Sequence, residues 1–311
     1  SGLGTKISEA CADEFPEATR MNIAVAPYHF GEVVVQHYNA VLCLSKISAA
    51  SDAVLVFENE VAQMLCKTMR GIERPSLNQL NETIVSNLLP IFLPRYSNTT
   101  NSTNSTTTSN NLYHRNRHGL IDDITHLCAH PGYKYLDIKI TPQTSNKSVS
   151  FTYDSWNTLL KTIQQMQLSG SASERNIKSY LKHALQNDTT SSYRDTRYKD
   201  TINTQQQQAE LQIHELYYNS HSNLKSFCGN NATPIKICAS DIILNGYQRS
   251  TSVLANSQAI LPLLQRAVRG GMELYEAGAY LHQYHTYGIE EDDFKYAFRC
   301  VGSSIQNYIN L

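Results

Sequence analysis

The chain has 311 residues, with 26 Lys+Arg against 27 Asp+Glu and a formal net charge of −1. That near-neutral balance gives no general attraction to nucleic acid or anionic lipid, and no apolar run approaches the roughly 18 residues of a membrane span. Hydrophobic content of 41% is ordinary for a globular protein, and the length accommodates two domains with real cores.

The N-terminal run "SGLGT" is of the small-residue kind expected in a loop approaching a ligand, and "KISEACADEF" after it reads as a helix. "MNIAVAP" (21–27) is a short buried strand stopped by Pro27, and "GEVVVQHYNAVLCLSKI" (31–47) a long, mostly buried helix. "DAVLVFE" (52–58) is a second strand and "NEVAQMLCKTM" (59–69) a further helix. "PSLNQLNETIVSNLL" opens with Pro75, the residue that suits a first helical turn. Strands alternating with helices predict a parallel sheet covered on both faces, which binds ligands at the carboxyl ends of its strands, beside Gly2, Pro27 and Asn59.

Two segments are expected to be disordered on composition, "SNTTNSTNSTTTSNN" (97–111) and "TRYKDTINTQQQQAE" (196–210). Between them the pattern predicts a short helix over about 119–128, a strand over 133–141 and an amphipathic helix over 155–168. A further strand is expected near 248–254. The remainder is helical, with Asn256 or Ser257 as N-cap and a second helix from "IEEDDF" onward.

Seven Cys occur without a Cys-x-x-Cys pair, mostly within apolar runs, as buried free thiols do in a reducing compartment. "EEDD" (290–293) looks like a metal cluster but stands at a helix start, where carboxylates complement the dipole and face water. "YHRNRH" (113–118) is basic and aromatic yet too short to indicate nucleic-acid binding. The Gly-x-Gly-x-x-Gly run of dinucleotide enzymes is not present.

In order and spacing, "VAPYHFGEVVVQHYNAVLCLS", "DAVLVFENEVAQMLC", "PSLNQLNETIVSNLL" and the C-terminal "NSQAI…GAYLHQYHTYGIEEDDF" resemble consecutive segments of the tubulin family. "PYHFGEVVVQ", "HPGYKYL" and the ending "NYINL", without a long acidic tail, are most like its delta branch; an epsilon-type member would share the same motifs. "SGLGT" is similar to the end of the family's Gly-Gly-Gly-Thr-Gly-Ser-Gly phosphate loop, so the resemblance implies a chain that begins inside that loop, with magnesium contacts expected upstream.

The implied fold is α/β: the C-terminal part of a Rossmann-like GTPase domain with its core helix (1–92), a low-complexity insertion (93–118), an α+β intermediate domain (119–254) and C-terminal helices (255–311). The implied cofactor is GTP. Ser1 and Gly2 would close the phosphate cradle, because small residues let backbone N–H groups approach phosphate. Gln36 stands at a position facing the ribose hydroxyls, with Glu32 one turn earlier. Asn59 and Asn81 match guanine-contacting asparagines, whose carboxamides can complement a purine edge. Without the resemblance, Asn59 would read as a helix cap and Asn81 as a polar residue on a buried helix.

Leu77 replaces the aromatic residue that family members stack on the base. The family's water-orienting acidic position falls on Thr125 or His126, with Asp122 and Asp123 nearby, so the catalytic residue stays open. The implied partners are other tubulins, microtubules and centriolar or basal-body components in the cytoplasm. The implied role is in triplet microtubules and cilium assembly, with slow or no GTP hydrolysis. The competing reading is an interaction module for tubulin-like partners that binds no nucleotide.

Overall fold

A computed structural model describes residues 2–28, 33–97, 116–145, 155–169, 236 and 238–311. In chain order these form α1 (Gly2–Glu14), β1 (Met21–Ala26), α2 (Gln36–Ala50), β2 (Ala53–Glu58), α3 (Asn59–Arg70), α4 (Leu77–Phe92), β3 (Arg95–Ser97) and β4 (Asn116–His118). They continue with α5 (Leu120–Leu127), β5 (Tyr135–Thr141), α6 (Trp156–Ser169), β6 (Cys238–Ala239) and β7 (Thr251–Ala255). A 3-10 turn (Gln258–Ile260) then leads into α7 (Leu261–Glu276), α8 (Leu281–His285) and α9 (Glu291–Ile309).

The main sheet has the order β1-β2-β5-β7. β1 pairs with β2 in parallel, Val25 opposite Phe57 and Ala26 opposite Glu58. β2 pairs with β5 in parallel, and β7 joins β5 antiparallel. β2 is the centre of the fold because both its faces are apolar. Val54 and Val56 enter a core with α2, α7 and α9, through Val41, Leu44, Leu264, Ala297 and Val301. Ala53, Leu55 and Phe57 enter the opposite core with α3, α4 and α5, through Leu65, Ile84, Leu88 and Ile124. The period of two along a strand makes this sorting automatic. The α/β class with a parallel sheet covered on both faces is therefore as the sequence predicts.

Two adjacent glycines in α7 let the helical layer close. A Cβ on Gly270 would lie 2.6 Å from the His37 ring of α2, and one on Gly271 would lie 2.9 Å from Phe298 of α9. A mid-helix glycine costs about 1 kcal/mol relative to alanine, a cost that close approach of three helices offsets.

Several expectations are corrected. "SGLGT" is helical from Gly2 rather than a loop; Thr5 is buried and its Oγ1 donates to the Gly2 carbonyl at 2.8 Å, closing the first turn. α2 begins at Gln36, not near position 31. The low-complexity insertion 93–118 carries β3 and β4 toward its two ends, and β3 pairs antiparallel with both β4 and β6 in a second sheet. Most of 97–111, and all of 196–210, lie outside the described residues. Of the described thiols only Cys66 is buried; Cys11 is exposed and the rest are intermediate.

Candidate functional site

The carboxyl ends of β1 and β2 lie side by side, Ala26 opposite Glu58, and three helices present their first residues toward this rim. α2 leaves β1 through Tyr28, and Gln36, its first residue, donates from Nε2 to the Tyr28 carbonyl at 3.3 Å. α3 starts directly from β2, with Asn59 as its first residue. α1 runs back toward the start of β1, where Ser8 Oγ meets Asn22 Oδ1 at 3.0 Å. Its first residue, Gly2, therefore lies about two turns farther toward the same rim. Helix N-termini gathered at strand ends favour an anionic ligand.

Asn59 is half-buried, and its carboxamide makes no hydrogen bond among the described residues. It is not the side-chain cap that the sequence alone would suggest, since α3 has Glu58 at the N-cap position and no side-chain cap there. The Tyr28 phenol lies close to α3: burial raises its pKa above the ordinary value, and the nearby Glu60 and Cys66 add to the rise.

α4 is fixed against α3 by Cys66, whose Sγ reaches the Gln79 carbonyl at 3.4 Å and Thr83 Oγ1 at 3.0 Å, and by Arg70–Glu82 at 2.6 Å. A capping box starts α4: Ser76 N–H donates to Gln79 Oε1 at 2.8 Å and Gln79 N–H donates to Ser76 Oγ at 3.4 Å. Leu77 is 78% exposed, and Asn81, one turn on, is exposed on the same face. Asn81 thus does not need the protein partner that a buried helix position would require, and no hydrogen bond joins it to Asn59 among the described residues.

A Cβ on Gly2 would meet nothing within 4 Å, so the described residues give that glycine no close-approach role. Ser1 and Glu32 lie outside the described residues. The carboxamides of Asn59 and Asn81 offer donors and acceptors to a ligand, whereas Gly2 shows no close approach.

The acidic pair near α5 is engaged in structure. Asp123 is buried, accepts from Arg95 Nη2 at 2.7 Å and sits 2.6 Å from His118 Nε2. Asp122 accepts from the Gly119 N–H at 2.8 Å and so starts α5. His126 is half-exposed, and Thr125 donates its hydroxyl to the Ile121 carbonyl at 2.9 Å. At "EEDD", Asp293 accepts from the Glu290 N–H at 2.9 Å and starts α9. No group of three or more potential metal ligands occurs among the described residues. No described helix is long and apolar enough to cross a membrane.

Two contacts at or behind the site carry no local sequence signal. Arg266 of α7 donates to Glu58 at 3.2 Å, across 208 positions of chain. Asn256, one of the two N-cap candidates, is buried instead. It donates to the carbonyls of Leu127 (2.9 Å) and Tyr133 (2.8 Å) and accepts from the Tyr308 hydroxyl at 2.5 Å, while Ser257 takes the cap by accepting from the Ala259 N–H.

Known proteins resemble this chain over its first 67 residues and along its whole length. Residues 1–67 match the family model described as Tubulin/FtsZ family, GTPase domain. The whole chain is 27% identical over 325 aligned positions to the tubulin delta chain of Homo sapiens, covering 68% of that protein. It is 28% identical over 317 positions to the tubulin delta chain of Canis lupus familiaris, again covering 68% of it. A tubulin gamma chain of Saccharomyces cerevisiae is 37% identical over 93 residues, 28% of this chain and 19% of its own length.

Proposed function

We propose that this chain, a delta-like member of the tubulin superfamily, is a cytoskeletal GTP-binding protein whose nucleotide sits on the rim formed by β1 and β2. The observation that carries the reading is Asn59: a half-buried carboxamide at the carboxyl end of the central strand, with no hydrogen bond among the described residues. A donor and an acceptor held together there can complement the edge of guanine. In this reading Gln36 accepts from a ribose hydroxyl, Asn81 makes a second base contact, and Gly2 at the start of α1 lies toward the phosphates. GTP brings the triphosphate that links binding to assembly, and magnesium accompanies it.

The partners are other tubulins and microtubules, and the cellular role is in the triplet microtubules of centrioles and basal bodies and in cilium assembly. The similarity to tubulin delta chains along the whole sequence supports this assignment. The domain division at 92, 118 and 254 belongs to the same proposal. Asp123 and Asp122 are occupied by structural contacts, and no hydrolytic residue is assigned to this chain.

The exposure of Leu77, at 78%, favours a second reading, in which the chain binds tubulin-like partners without nucleotide. Thermal unfolding with and without GTP separates the two. A ligand at 100 times its dissociation constant adds about 2.7 kcal/mol, and Asn59→Ala should weaken binding by about tenfold, or ~1.4 kcal/mol. Equal midpoints with and without GTP in the folded wild-type chain would give the interaction-module reading precedence.

A further inference from the structure

Helix α7 of the C-terminal layer touches both of the elements that carry the rim, and it does so from one face. Glu58 ends β2 and occupies the N-cap position of α3 with extended backbone (φ −89°, ψ 138°), where a short polar side chain would ordinarily cap the helix. It makes no cap here. Its Oε2 accepts from Arg266 instead, at 3.2 Å, and the two side chains are only 14% and 20% exposed. One turn farther along α7, Gly270 lies against His37, the neighbour of Gln36, so closely that a Cβ would stand 2.6 Å from ring atom Cδ2. Residues four apart on a helix share a face.

Arg266 therefore grips the residue before Asn59, and Gly270 seats the residue after Gln36. Resting on the nucleotide reading above, we propose that Arg266 and Gly270 are positioning residues that fix the separation of α2 and α3 at the rim. The nucleotide pocket is then set by the C-terminal helical layer as well as by the sheet. A partner that displaces α7 on the outer surface changes nucleotide affinity through this pair of contacts, and bound nucleotide reciprocally steadies α7.

The partly buried ion pair at the end of the central strand ties α3 to α7 through one charge-assisted contact, Arg266 Nη2 to Glu58 Oε2 at 3.2 Å. Removing the Arg266 charge lets the Glu58 carboxylate turn to the start of α3, and removing the Glu58 charge lets α3 shift along α7. Both changes move Asn59 without removing any atom that would touch the base.

The test uses the full chain and the variants Arg266→Gln, Glu58→Gln, the double variant and Arg266→Lys. GTP and ATP are titrated separately against the unfolding midpoint, and amide exchange is followed at residues 59–62 without nucleotide. The expected result is that each Gln variant binds GTP about tenfold more weakly, with the double variant no weaker than either single, as for residues acting through one contact. Exchange at 59–62 is faster in both Gln variants, and Arg266→Lys restores most of the GTP affinity. If wild type is protected by GTP and the Gln variants are protected equally, the positioning role is overturned while the nucleotide reading stands. If folded wild type is protected by neither nucleotide, the nucleotide reading falls and the positioning role falls with it. Additive losses in the double variant would also overturn it, because they would mean that the two side chains act separately.

Discussion

At the end of α9 the side chain of Tyr308 is fully buried, accepts from the Tyr135 N–H at 3.0 Å and donates to Asn256 at 2.5 Å, whereas at the β1–β2 rim the carboxamides of Asn59 and Asn81 have no hydrogen bond among the described residues. Both regions place polar groups on well-packed elements. In the first, the polar groups answer one another: Asn256 also ties the end of α5 to the start of β5 through the carbonyls of Leu127 and Tyr133, and Gln258 Nε2 donates to the Tyr308 carbonyl at 2.9 Å. In the second, the scaffold is equally firm but the polar groups face outward. A buried polar group without a partner costs about 1–3 kcal/mol, so the clamp is fixed by folding. The rim is left for something outside the chain to satisfy.

Substitutions at the two regions should separate cleanly. Asn256→Ala strands the Leu127 and Tyr133 carbonyls and leaves the Tyr308 hydroxyl only the Tyr135 carbonyl at 3.2 Å as acceptor, and should destabilise the chain by about 2–4 kcal/mol in denaturant unfolding. The GTP-induced shift of whatever folds should be unchanged. Gly271→Ala pushes a methyl into Phe298 and should cost about 1–2 kcal/mol by the same measurement, the overpacking being partly offset by the better helix propensity of alanine. At the rim the effects should fall on binding alone. Leu77→Tyr adds an aromatic face at a position 78% exposed, so stability should stay within about 0.5 kcal/mol. GTP should bind roughly fivefold tighter, through about 1 kcal/mol of stacking, as read by calorimetric titration.

The smallest effect is a pH dependence. Burial holds His37 below its ordinary value of 6.5; Arg266 and Arg269 on α7 lower it further, and Glu273 on the same helix opposes them. The folded chain therefore binds this proton less readily than the unfolded chain does. The stability tied to neutral His37 is fully present above about pH 6.5 and is lost as pH falls toward the lower folded value. His37→Asn should flatten that part of the profile of unfolding midpoint against pH, and an unchanged slope between pH 7 and pH 5 would refute it.

What the sequence made legible follows the range of the signal. β1 and β2 are visible as short, largely apolar runs, β5 as apolar residues alternating with Asp137 and Lys139, and α7 and α9 because their apolar spacing is sustained over several turns. The second sheet is not, since β3, β4 and β6 are only two or three residues long and lie far apart in the chain. The start of α1 was misread because Gly and Ser favour turns, while burial of Thr5 decides the matter here.

At the candidate site, Asn59, Gln36 and Asn81 were singled out by family spacing. The fold then supplied what spacing cannot, which is that Asn59 stands half-buried at the central strand's end and Asn81 faces solvent. The Asp122–Asp123 pair carried no mark distinguishing a catalytic carboxylate from a structural one until Arg95 and His118 were seen beside Asp123. Arg266 and Tyr308 act across long stretches of sequence and leave no local trace.

The most direct test of the central claim is amide hydrogen exchange of the full chain with and without GTP. The account predicts protection concentrated at residues 33–40 and 58–63, the start of α2 and the junction of β2 with α3, with little change at 251–257 and 300–311. Protection confined to the C-terminal helices, or none anywhere at saturating GTP, would contradict it.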